Sequence, residues 1–111
     1  MPKMKKSKER AVVVGTASYG LYFGWTDASD QDVVKDRSVR LRDARHVRSW
    51  HGKTGGITSL AAHGPCGPRG KNSLIGAPVP SALITNVANV FDCTPEAIEA
   101  FNKIEATDGA R

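Results

Sequence analysis

Apolar and polar positions along this chain change period several times, and each change marks a different element. Ala11-Val12-Val13-Val14, closed by Gly15, is a continuous β-branched run and reads as a strand buried on both faces. Residues 18–25, S-Y-G-L-Y-F-G-W, read as its hairpin partner. The acidic stretch 26–32 has no apolar period and is expected to turn, with Val33-Val34 a short strand end and Lys35-Asp36 a second turn. Residues 37–51 then alternate. Arg40, Arg42, Ala44, His46, Arg48 and Trp50 occupy the even positions; Val39, Leu41, Asp43, Arg45, Val47 and Ser49 occupy the odd ones. A strand, bent or bulged near Asp43-Ala44, fits this better than a helix. At a spacing of three, the stripe Leu41, Ala44, Val47, Trp50 drifts by about 60° per step.

Residues 57–63 predict a short helix, with Thr58 as N-cap and Gly64 at its C-terminal end. The segment 64–72, with two prolines and three glycines, is a loop. Ala77-Pro78-Val79-Pro80 is extended, because a residue before proline is pushed out of the α region. Residues 81–91 read as one long strand with aliphatics on both faces. Thr94-Pro95 opens the clearest helix: a threonine N-cap, proline at the first helical position, early glutamates, and the stripe Ala97, Ile98, Phe101, Ile104.

Runs of strands followed by helices, without strand–helix alternation, predict an α+β fold. The expected architecture is a small twisted antiparallel sheet, or a partly open barrel, of four or five strands with a short middle helix and a C-terminal helix. A chain of 111 residues suits one domain: a flexible basic arm at 1–9, a globular body at 10–106 and a frayed tail at 107–111.

Charge sharpens this picture. The net charge of +5 favours anionic partners. No apolar run approaches the length of a membrane-spanning helix, so no membrane partner is expected, and no segment has the form of a signal peptide. Two cysteines without framework spacing suggest a reduced, cytoplasmic setting.

Candidate chemistry is sparse. Gly52-Lys53-Thr54 and Gly70-Lys71 imitate phosphate loops, but Val47 and Pro65 stand where the first glycine of that motif belongs. His63 and Cys66 have half-zinc-site spacing, with His51 and Cys93 as scattered partners; unrelated polar residues explain them better, and no metal is expected. No serine or cysteine is placed by a motif beside a histidine, so no enzyme and no cofactor are expected. What remains is binding. Arg40, Arg42, His46, Arg48 and Trp50 combine guanidinium forks with a stacking ring, and Lys53, Arg69 and Lys71 lie in glycine-rich loops whose amides could add donors. The competing reading is a solvated strand face kept soluble by charge.

The segments R-L-R-D-A-R-H-V-R-S-W-H-G (40–52), T-S-L-A-A-H-G (58–64) and A-P-V-P-S-A-L-I-T-N-V-A-N-V-F-D-C-T-P-E-A (77–97), with the upstream Y-G-L-Y-F-G (19–24), resemble a small family of uncharacterised phage-encoded proteins. The similarity spans roughly residues 12 to 104; the glycine- and proline-rich insert 64–71 departs from it. The resemblance implies a phage setting and little chemistry. In that setting the expected function is a non-enzymatic accessory protein that binds a phosphate-bearing ligand, either nucleic acid or a nucleotide immune signal, in an anti-defence role. The alternatives are a self-associating virion or assembly component and an inhibitor of a host protein. A homo-oligomer in the host cytoplasm, or in the virion, is expected.

Overall fold

A computed structural model describes residues 9–18, 20–50, 56–66 and 73–106. Among them the chain is α+β: one open antiparallel sheet of six strands with three helices, not closed into a barrel. The elements in order are β1 (Arg10–Thr16), β2 (Leu21–Thr26), α1 (Asp30–Asp36), β3 (Ser38–Ser49), α2 (Ile57–His63), β4 (Leu74–Ile75), β5 (Val79–Thr85), β6 (Val87–Asp92) and α3 (Pro95–Lys103). The sheet order is β4-β3-β2-β1-β6, and β5 pairs with the N-terminal half of β3.

Both faces of β1 are buried, as its unbroken β-branched run requires. Ala11 and Val13 join Phe23, Val47, Leu60, Ala61, Ile75 and Phe101 in a first core cluster, which α2 and α3 cover. Val12 and Val14 join Val33, Val39, Leu41, Ala44 and Ile84 in a second cluster on the other side, where α1 lays its one buried side chain, Val33. Phe23 and Phe101 stack at 4.1 Å across the first core.

Three local predictions need correction. Residues 30–36 form α1 rather than a turn and a strand end, because Ser29 caps the helix by accepting from the Asp32 N–H and aspartates occupy its positive first turn. The long strand 81–91 is broken at Asn86, whose left-handed φ of 56° turns β5 on β3 into β6 on β1. The cap of α2 is Gly56 rather than Thr58. The strand count also rises to six, since the two-residue β4 pairs with the end of β3. The C-terminal helix is as expected: the Thr94 hydroxyl accepts from the Ala97 N–H, Pro95 opens the helix, and Phe101 is buried, while Ile98 is half-buried against the first cluster.

Candidate nucleic-acid interface

The arginine strand β3 is bulged where the sequence suggested. Asp43 has a φ of 52°, and Asp43-Ala44 together oppose the single residue Gly24 of β2. Gly24 permits that close approach, since a Cβ there would lie 2.9 Å from the Leu41 Cβ. The bulge shifts the alternation by one. Val39, Leu41 and Ala44 therefore all enter the second cluster, while Val47 enters the first. The even-numbered residues consequently do not share one face.

Arg40 and Arg42 lie before the bulge. They project on the same side of the sheet as the first cluster, beyond the part that the helices cover. Arg42 pairs in register with Trp25 and Ser81, and Arg40 with Leu83. The Arg42 guanidinium sits 5.8 Å from the centre of the Trp25 ring, a cation–π contact. Arg40 Nη1 donates to the Ser81 hydroxyl at 2.9 Å. Leu83, 53% exposed, leaves an apolar step beside them.

His46 lies past the bulge, on the opposite face, where its ring tilts against Tyr22 at 5.2 Å. Arg48 is exposed two residues further along. Trp50, like Trp25, is half-buried against the first cluster, but it has no arginine over its ring among the described residues. Lys53, Arg69 and Lys71 lie outside the described residues, as do the tail and residues 1–8 of the basic arm. The structure thus brings together Arg40 and Arg42, adds Trp25, Ser81 and Leu83, and separates off His46. Trp25 carried no distinguishing sign in the sequence, because only the pairing register places it beside Arg42.

Electrostatics set Arg42 apart. Its Nε and Nη2 donate to the two carboxylate oxygens of Glu9 at 2.8 and 2.6 Å, and Nη1 donates to Asp43. The hydrogen bond from Arg42 holds the Glu9 carboxyl below the usual carboxylate range, against a smaller opposing effect of desolvation. The same bond raises the Arg42 pKa. Arg37, Arg40 and Arg48 have no carboxylate partner among the described residues.

Other polar groups are structural. Arg10 bridges Asp92 at 3.0 Å and Asp30 at 2.8 Å and donates to the Ala28 carbonyl, tying β1, β6 and the start of α1 together. Desolvation lowers its pKa, but the two aspartates outweigh that and the net shift is upward. His63 meets Glu96 at 3.3 Å across the α2–α3 contact. Burial, with Asp92 nearby, pushes the Cys93 thiol up to about 12. Among the described residues no three potential ligands converge on a metal position, and no helix is long and apolar enough to cross a membrane.

These features define a class: a small α+β domain with an open antiparallel sheet and an arginine–tryptophan patch on the part of one face that the three helices do not cover. Residues 9–101 match the family described as a domain of unknown function, DUF6948, and the chain belongs to that family. No curated protein and no solved structure matches it.

Proposed function

We propose that this protein is a non-catalytic module that binds single-stranded nucleic acid on the outer face of the β3–β5 ribbon. The observation that carries the reading is the Arg42 fork, which lies on Trp25 while gripping a carboxylate with two parallel bonds. A phosphate presents a pair of oxygens that the same fork can take. Arg40 is two residues away on the same face, about 7 Å along the strand, which suits consecutive phosphates of one extended strand. Trp25 supplies an aromatic edge and Leu83 an apolar step for bases. Two arginines side by side along one strand favour an extended polymer over a compact nucleotide signal. In the phage setting that the sequence resemblance implies, such a module would act on nucleic acid during infection.

In this reading Glu9 is an internal stand-in for phosphate, displaced when ligand binds. Glu9→Gln removes the competing charge and should tighten binding several-fold, whereas Arg40→Ala with Arg42→Ala should abolish it. Fluorescence anisotropy with labelled single-stranded DNA and RNA measures both. Unchanged affinity in both variants would end the proposal.

A further inference from the structure

We propose that the outer edge of β6, with the groove between it and α1, is a docking site for the same edge of a second copy of this chain. Cys93 donates its N–H to the Ala11 carbonyl. In an antiparallel ladder the residues that face the partner alternate, so Phe91 and Asn89 also turn toward β1. Val90 and Asp92 consequently direct their N–H and C=O groups away from β1. No other strand among the described residues pairs with β6. A groove of about 420 Å³ follows this edge, walled by Val87, Ala88 and Val90 on β6 and by Val33 and Val34 on α1. Val34 is 75% exposed, more than any other large aliphatic among the described residues, and it stands on the rim. Bare ladder groups beside an uncovered valine are the usual signs of a strand-addition site.

The charges select the occupant. Arg37 stands at the Val87 end, where its carbonyl accepts from the Val87 N–H. Asp92 and Asp30 stand at the other end, where the two carboxylates share one guanidinium, that of Arg10, among the described residues. A second β6 laid antiparallel about a two-fold axis through Val90 brings Arg37 of each copy toward the acidic end of the other. It also aligns Val90 with Val90 and Ala88 with Asp92 across the axis. A parallel strand would set like ends together. The edge is thus self-complementary in hydrogen bonds, in apolar contact and in charge, as an isologous interface must be. The joined sheets would also carry two arginine–tryptophan patches on one particle.

The test uses the full-length protein without nucleic acid, so its outcome is independent of ligand binding. Sedimentation equilibrium should give twice the 11.9 kDa chain mass at concentrations up to about 200 µM, with a monomer on dilution. Val34→Asp and Arg37→Glu, both at exposed positions, should keep the native circular dichroism and weaken association at least about tenfold. In the wild type, hydrogen exchange at the Val90 and Asp92 amides should slow as concentration rises. A wild type that stays monomeric throughout, either variant associating as tightly as the wild type, or Val90 and Asp92 amides whose exchange ignores concentration would overturn the proposal.

Discussion

Arg45 is the residue that the sequence disguises best. It falls among four other arginines within residues 37–48, yet it is 7% exposed while Arg40, Arg42 and Arg48 are in solvent. The bulge at Asp43 turns it inward, where its fork donates to the carbonyls of Gly76 at 2.7 Å, Phe101 at 2.7 Å and Ile104 at 2.9 Å. Two of these are at the C-terminal end of α3, where the helix dipole favours a cation. Arg45→Ala would strand three carbonyls at about 1–3 kcal/mol each. Even the low end, roughly 3 kcal/mol, is a large part of a small domain's total of about 5–15 kcal/mol. Arg45→Lys should recover only part, since an ammonium cannot span three acceptors in this way. Urea denaturation checks both. The alternation does set Arg45 among the aliphatics Val39, Leu41 and Val47, but it gives no partner for the charge, and the inserted residue carries Arg45 with Val47 to the first-cluster face, where the α3 carbonyls lie.

Cys93 gives a second prediction at this scale. The unfolded thiol titrates near 9.0 and the folded one at about 12, so the native state holds the extra proton between those values. Stability is intact below the first value and declines as pH rises toward the second. Urea midpoints measured across that range should fall less in Cys93→Ala than in the wild type.

Among the elements, α3 was the most legible, because its cap, its proline and its apolar stripe agree. Phe101→Ala removes the ring stacked on Phe23 and should cost about 3–5 kcal/mol. The contact of α3 with α2 depends on Gly64. Its φ is 70°, and a Cβ there would lie 2.7 Å from the Ala100 Cβ and 2.9 Å from the Ala97 carbonyl oxygen. Gly64→Ala should therefore destabilise by roughly 1–3 kcal/mol, read by thermal unfolding. By contrast α1 was hidden: seven residues with one buried valine leave no apolar stripe, and only the Ser29 cap distinguishes it from a turn. The break between β5 and β6 went unread, although Asn86 is polar among the aliphatics Ala82, Ile84, Ala88 and Val90 and is of a type that enters the left-handed region readily.

For the whole molecule, the sequence conveyed the class of fold and the concentration of arginines, both of which follow from local pattern and composition. Beyond the β1–β2 hairpin, which it did convey, it could not convey which strands pair, and pairing decides the patch. The register brings Trp25 and Ser81 to Arg42 from strands far apart in sequence and leaves Trp50 against the core. Among the described residues, the open sheet leaves the β3–β5 face uncovered on one side and the β6 edge unpaired on another. Binding on the first and self-association on the second are therefore separable properties.

The most direct test is the salt dependence of single-stranded DNA and RNA binding in the wild type, in Arg40→Ala and in Arg42→Ala. With two arginines on phosphates, log affinity should fall against log salt with a slope of about −1.4, and each single variant should reduce the slope by about 0.7. His46→Ala, on the opposite face, should leave slope and affinity unchanged. Binding that is absent at low salt, or a slope that neither arginine variant alters, would contradict the account.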